Sequence, residues 1–271
     1  MKTIRFVMFS VFGNGVDHRG LSNSVTQRAS MIEMAASSIR LSYPEAEIHL
    51  LSNLPNSETG LPDFIHTDLV DANFDTIVLS KIREYKAFLD RSNPEGYLVF
   101  CDPDMLFLRR IDKLFKKDDF DIALTLRNYS YEGHDAPINA GLYVINMRAK
   151  DLICGLFETF ARAIEDLPKS EHRWDGDQTA LARILGAPLI DIARPCSARW
   201  NNVKIKYLPV RIYNNTPGPR QRRFHVFHPH ARVLHFKASK KSYMGAYYRL
   251  YVTSMLGKML RQKKGSRRDT G

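Results

Sequence analysis

The sequence predicts an α/β protein built on a mostly parallel central sheet flanked by helices. Three observations predict it. Strand-like and helical patterns alternate along the chain. The first fifty residues read as a β-α-β unit. Tyr97–Cys101 is a continuous apolar run that halts on carboxylates, as a strand covered on both faces does. The 271 residues suffice for one large or two small domains with a real core.

Thr3–Phe9 reads as the first strand. Lys2 and Arg5 before Phe6–Phe12 superficially resemble a signal peptide, but the run is short and ends in Gly13-Asn14-Gly15 without a small-residue cleavage site. A loop, Ser10–Asn23, follows at the strand's carboxyl end, where nucleotides commonly bind in such sheets. Its glycines match neither Gly-x-Gly-x-x-Gly nor Walker spacing. Ser24 or Thr26 caps a helix to about Arg40, with Met31, Met34 and Ala35 among its buried positions. Glu47–Leu51 and Asp63–Leu69 are further strands, and Phe74–Leu89 is helical. Asn93-Pro94-Glu95-Gly96 turns the chain into Tyr97–Cys101. Asp121–Leu126 and Ile138–Asn146 are strand-like, Lys150–Ile164 is helical, Glu171–Gln178 is a loop, and Val233–Phe236 is a short apolar run. Thr216–Arg220 reads as a surface loop.

The net charge of +11 is a C-terminal property. Residues 220–271 hold 14 of the 40 Lys and Arg and one acid, Asp269, so the rest is near neutral. Tyr243–Arg268 reads as a basic amphipathic helix whose Tyr, Leu and Met face suits either an anionic bilayer surface or the protein body. Nucleic-acid binding lacks a recognition motif, so no specific nucleic acid is expected. Three widely spaced cysteines argue against a disulfide framework or zinc cluster and fit a reducing compartment. Cys101, inside a strand, is expected to be buried and inert. No apolar stretch approaches the length of a transmembrane helix.

Asp102 and Asp104 stand two apart at the carboxyl end of the opening strand, where open α/β sheets keep ligands. Pro103 supplies no N–H, so the ladder should end there. Two neighbouring carboxylates repel, and a divalent cation would relieve that. A bare Asp-x-Asp is more often an acidic turn; its surroundings decide.

Those surroundings resemble one family. Ser80-Lys81-Ile82-Arg83 lies about twenty residues before the carboxylates. Leu108–Phe115 (Leu-Arg-Arg-Ile-Asp-Lys-Leu-Phe) continues the stretch after them. Asn139-Ala140-Gly141-Leu142, Asp177-Gln178 and Arg199-Trp200-Asn201 follow in order. His235 and Lys241 match His-x-x-Gly-x-x-Lys-Pro-Trp, with Ala238 for Gly, Ser242 for Pro and Tyr243 for Trp. In order and spacing the chain resembles GT-A-fold glycosyltransferases of the glycogenin and bacterial lipopolysaccharide galactosyltransferase type (family 8).

The resemblance implies a GT-A catalytic domain over residues 1–241, followed by the basic segment 242–271. It implies a metal site of Asp102, Asp104 and His235, an oxygen-rich set with one imidazole that suits Mn²⁺ or Mg²⁺. Taken alone, His235 reads as a strand-end histidine, and His225, His228 and His230 read as surface residues. Nucleotide-sugar binding falls to Ser10, Lys81, Asp102, Asn139 and Lys241, with Arg83 the runner-up to Lys81. Asp177 and Gln178 would face the sugar, Gln178 near the reacting carbon; alternatively Asp177 only caps the helix that begins at Thr179. The expected activity is transfer of a sugar from a nucleotide-diphosphate donor, UDP above others, with retention of configuration. The expected acceptor is a glycan or glycolipid hydroxyl. The expected location is cytoplasmic, with peripheral attachment to the inner membrane face through the tail. Rival readings are a sugar nucleotidyltransferase, which would want a cation-rich loop after the first strand, and a basic surface-binding protein with a degenerate site.

Overall fold

The computed structural model describes residues 3–13, 24–72, 74–116, 119–127, 137–172, 176–186, 192, 194–217 and 230–254. Its strands are β1 (Ile4–Ser10), β2 (Glu47–Ser52), β3 (Ile65–Leu69), β4 (Tyr97–Cys101), β5 (Met105–Phe107), β6 (Ile122–Leu126), β7 (Ile138–Asn146), β8 (Cys196–Trp200), β9 (Val203–Pro209) and β10 (Val233–His235). Helices are α1 (Val25–Ser42), α2 (Asn56–Thr59), α3 (Ile77–Arg91), α4 (Lys150–Glu165), α5 (Gly176–Leu185), α6 (Val210–Tyr213) and α7 (Met244–Tyr247).

Eight strands form one sheet in the order β3-β2-β1-β4-β7-β6-β9-β8, and β5 with β10 forms a separate antiparallel ribbon. Four of the seven pairings in the large sheet are parallel: β1 with β2, β1 with β4, β2 with β3, and β6 with β9. The parallel neighbour expected for β4 is therefore found on one side only, since β7 runs antiparallel on the other. A continuous apolar run reports burial of both faces, and a strand deep inside a mixed sheet has that too. All five residues of β4 are buried.

Two apolar layers cover the sheet. Phe6, Met8, Val99, Leu142 and Val144 face α1, the β5–β10 ribbon and the C-terminal turns. Val7, Phe9, Leu98, Phe100, Tyr143 and Ile145 face α3, α4 and α5. The alternation within β1 and β4 is the period-2 geometry of a pleated strand.

Several expectations shift. Ser24 caps α1, its hydroxyl accepting from Gln27 N at 3.2 Å, and the helix runs on to Ser42. Ala35 is buried there, whereas Met31 and Met34 are only half-buried. The expected Glu171–Gln178 loop is a 3-10 turn at Lys169–His172 followed by α5 from Gly176. Asp177 and Gln178 thus lie inside the first helical turn, where a carboxylate complements the helix dipole. Gly176 lets the helix start early: a Cβ there would meet Glu171 O at 2.3 Å.

The C-terminal segment also departs from expectation. After a 3-10 turn at Ala238–Tyr243, α7 and a π-helical turn (Tyr248–Thr253) bury Met244, Tyr247, Tyr251 and Val252 in the α1-side layer. The apolar face offered to a bilayer is, over residues 244–252, covered by the protein body. The tail beyond Ser254, most of the Ser10–Asn23 and Thr216–Arg220 loops, and His225 and His228 lie outside the described residues. No helix among the described residues is long and apolar enough to cross a membrane.

Candidate active site

Asp102 follows β4 and Asp104 precedes β5, so the turn through Pro103 delivers both carboxylates to one edge of the sheet. The ladder ends as expected: Asp102 N still donates to Gly141 O at 2.9 Å, and no strand continues through Pro103. Antiparallel pairing of β5 and β10 sets His235 opposite Met105, and Phe236 N donates to Asp104 O at 2.9 Å. That ribbon closes a sequence separation no local pattern spans. His235 Nε2 comes to 3.0 Å from Asp104 Oδ1 and 3.5 Å from Asp102 Oδ2. Lys241 Nζ lies 3.4 Å from Asp104 Oδ2.

β7 supplies the floor. Its register with β6 jumps from Leu124↔Tyr143 to Thr125↔Asn139. Ile138 and Ala140 face the same layer as Tyr143, so the face parity changes within Gly141–Leu142, as at a bulge. The change turns Asn139 toward the carboxylates' side. Asn139 Oδ1 accepts from Lys237 Nζ at 2.8 Å, and Asn139 O accepts from Thr125 Oγ1 at 2.8 Å. Gly141 must be glycine here: a Cβ would lie 2.5 Å from His235 Cε1 and 3.0 Å from Asp102 Oδ2.

Lys81 projects from α3 into the same edge. Its Nζ lies 2.5 Å from Asp177 Oδ2 and 3.7 Å from Asp102 Oδ1, tying α3, α5 and β4 together. Burial alone would depress this ammonium, but Asp177 and then Asp102 outweigh it and hold it above the ordinary lysine range. Burial likewise pushes Asp104 up, and His235 and Lys241 overcome that, holding it well below the usual carboxylate range. Asp177 Oδ1 accepts from Gln178 N at 2.9 Å, and both residues are buried. Beneath them Tyr85 stacks on Phe100 with centroids 3.9 Å apart, and Tyr143 meets Tyr85 edge-on. Burial keeps both phenols protonated and the floor neutral.

Of the expected residues, Asp102, Asp104, His235, Lys241, Lys81 and Asp177 converge through direct contacts, and Asn139 and Gln178 adjoin them. Ser10 is buried at the end of β1, about level with Pro103 by the β1–β4 register. Arg83 does not join the site. Two residues along a helix is a rotation of about 200°, and Arg83 instead pairs with Glu165 of α4 in an exposed position. Arg199-Trp200-Asn201 is also elsewhere: it turns the β8–β9 hairpin at the end of the sheet where β4 begins. Burial pushes the Cys101 thiol far up, as an inert core cysteine requires.

Sequence reasoning missed Asn214, Thr125 and Lys237. Asn214 is fully buried, with Oδ1 2.8 Å from His235 Nδ1 and Nδ2 3.0 Å from Thr125 Oγ1. Asn214 ends a four-residue helix, and nothing in its neighbours' periodicity marks it. Lys237 sits in no strand or helix pattern either.

One departure from the family motif turns out to be absorbed. Ala238, where the family has Gly, takes φ 51 and opens the turn that carries Lys241. The loop keeps the glycine-like conformation at a cost of about 1–2 kcal/mol for an L side chain. Ala238→Gly should relieve this, less about 0.4–1 kcal/mol for the freer unfolded chain. The expected result is a Tm about 1–3 °C higher by calorimetry; a lower Tm would contradict the strain.

The residues fit a divalent cation. One ligand atom each from Asp102, Asp104 and His235 lies within 4.8 Å of the others. Adjacent ligands in an octahedral shell are about 3 Å apart, close to the spacing of His235 Nε2 from each carboxylate. Asp104 Oδ1 is buried without a hydrogen bond of good geometry, although Nε2 is near. An oxygen-rich set with one imidazole suits Mg²⁺ or Mn²⁺.

Solved structures of other proteins share this fold. The fold matches the galactosyltransferase LgtC, solved with donor and acceptor sugar analogues, at TM-score 0.52 and 14% identity over 87% of each chain. It matches a glycosyltransferase involved in glycosylation of the major capsid of PBCV-1 at TM-score 0.54 and 6% identity, over 92% of this chain and 99% of that one. GlyE of Streptococcus pneumoniae TIGR4 matches at TM-score 0.53 and 13% identity, over 97% and 66%. No curated protein sequence matches the chain. Such identities show the GT-A fold alone. The family model for nucleotide-diphospho-sugar transferases matches residues 69–242, from β3 to just past Lys241, and so spans the carboxylate pair, the Asn-Ala-Gly strand, Asp177 and His235. On that match the chain belongs to the nucleotide-diphospho-sugar transferases, glycosyltransferases of the GT-A fold.

Proposed function

We propose that this glycosyltransferase moves a sugar from a UDP-sugar to an acceptor hydroxyl with a divalent cation, Mn²⁺ or Mg²⁺, held by Asp102, Asp104 and His235. The convergence of those three side chains from β4, β5 and β10 is the observation that carries the reading. The cation's chemistry when bound is neutralisation of charge on the departing diphosphate. Lys241, already beside Asp104, adds a mobile cation for the same phosphate oxygens. Asn139 faces the donor sugar, and Lys237 is in reach of it. Lys81 holds Asp177 beside the sugar, and the Gln178 amide lies nearest the reacting carbon. The family resemblance favours retention of configuration.

A thermal-shift screen of nucleotide-sugars with and without Mn²⁺ tests this directly. A ligand present at 100 times its Kd stabilises the folded state by about 2.7 kcal/mol, a shift of several degrees. The expected result is a shift with UDP-sugars that requires the metal. Shifts with no nucleotide-sugar, or shifts indifferent to EDTA, would sink the proposal.

For the acceptor we infer a glycolipid at an anionic membrane, on the strength of the basic C-terminal stretch. Because residues 244–252 belong to the core, the deletion that tests this is 255–271. The shortened protein should lose co-sedimentation with vesicles containing phosphatidylglycerol while still hydrolysing soluble donor. Equal sedimentation of both proteins would refute the attachment.

A further inference from the structure

We propose that Asn214, oriented by Thr125, is a positioning residue that fixes which nitrogen of His235 faces the carboxylates. This inference rests on the metal reading of Asp102, Asp104 and His235. A buried chain of donors and acceptors runs from Asn139 through Thr125 and Asn214 to His235. Thr125 Oγ1 has one hydrogen, and it goes to Asn139 O at 2.8 Å, an atom that can only accept. Toward Asn214 the hydroxyl therefore accepts, so the amide group 3.0 Å away is the Nδ2 amine. That leaves Oδ1 facing His235 Nδ1 at 2.8 Å, and an amide oxygen can only accept. Nδ1 must then carry a hydrogen.

The consequence reaches Nε2. With Nδ1 protonated, the neutral ring has its only lone pair at Nε2, and Nε2 is the nitrogen placed 3.0 Å from Asp104 and 3.5 Å from Asp102. A metal-ligating histidine generally needs such a partner to hold its tautomer and ring plane. Thr125 and Asn214 are fully buried and His235 nearly so, so water cannot substitute for either bond. The family-like motif stretches do not include Asn214 or Thr125. Thr125 comes from β6, and Asn214 follows α6 beside β10, where His235 N donates to Asn215 O at 2.9 Å.

Titration with Mn²⁺, following the electron paramagnetic resonance of free Mn²⁺, tests the assignment on four full-length proteins. Asn214→Leu keeps the volume but offers no acceptor, and is expected to weaken Mn²⁺ binding about 10–100-fold. Asn214→Asp keeps an acceptor for Nδ1–H and should bind within about threefold of the parent, or tighter. Thr125→Val lets the amide turn over and should weaken binding severalfold. A packing role predicts the opposite order, with Leu tolerated in a buried site and Asp not. The proposal is overturned if Asn214→Leu, folded by near-ultraviolet circular dichroism, binds Mn²⁺ as the parent does. If Asn214→Leu does not fold, unchanged binding by Thr125→Val overturns it. If the parent itself binds no Mn²⁺, the metal reading fails first and this inference with it.

Discussion

Asp104→Ala is expected to lower sugar transfer at least about 10³-fold and to abolish the metal dependence of nucleotide-sugar binding. Asp104 is the more buried of the two candidate carboxylate ligands, with 9% of its side chain exposed against 25% for Asp102. It touches both the imidazole of His235 and the ammonium of Lys241. Removing it takes away one metal ligand and leaves the Lys241 ammonium and the His235 imidazole without the carboxylate between them. Metal stabilisation of a charged leaving group amounts to several kcal/mol, and each 1.36 kcal/mol is about tenfold in rate. The assay is transfer from the donor found by thermal shift, with Mn²⁺ titrated in parallel. Asp104→Asn, which preserves shape, separates chemistry from folding: it should fail in transfer while unfolding close to the parent temperature. Activity within tenfold of the parent in both variants would remove Asp104 from the site.

How much of this was legible in the sequence depends on the kind of interaction. Apolar stretches within β1, β4 and β7 announced buried strands because burial on both faces leaves little room for polar residues. The order of those strands, and the switch of β4's neighbours between parallel and antiparallel, left no mark, because apolar side chains are indifferent to the direction of the next strand. Arg83 was lost to helix geometry: residues two apart point to opposite sides, so of Lys81 and Arg83 only one could serve the sheet edge. The apolar spacing of Met244, Tyr247 and Tyr251 correctly signalled a covered face. Periodicity says that a face is covered; whether by lipid or by α1 is a tertiary matter. Asn214 and Thr125 were invisible for a related reason. They are marked by three buried hydrogen bonds that span 14 to 89 residues, and buried amides and hydroxyls have no periodic signature.

Gly141→Ala isolates the requirement for close approach most sharply. The glycine is not needed for an unusual backbone angle, since only Gly60, Gly96 and Gly186 have positive φ among the described glycines. It is needed for space. An added Cβ would meet His235 Cε1 at 2.5 Å, Nδ1 at 2.8 Å and Asp102 Oδ2 at 3.0 Å, where ordinary contact begins near 3.4 Å. Something must move by the better part of an ångström. His235 is held at Nδ1 by Asn214 and is almost wholly buried, while Asp102 is a quarter exposed and swings more easily. Either displacement separates the candidate ligands, and a misplacement of about 1 Å can reduce a rate about 10²-fold. Overpacking of this size should cost about 1–3 kcal/mol of stability, so the variant should still fold. Transfer is therefore expected to fall about 10²-fold or more, with Mn²⁺ binding weakened alongside it. Gly155→Ala is the control: it lies in α4 with nothing within 4 Å of the added methyl, and should raise stability by up to about 1 kcal/mol with transfer unchanged. If Gly141→Ala retained parental transfer and Mn²⁺ affinity, neither His235 nor Asp102 could hold its position in the working enzyme, and the metal site would have to be sought elsewhere.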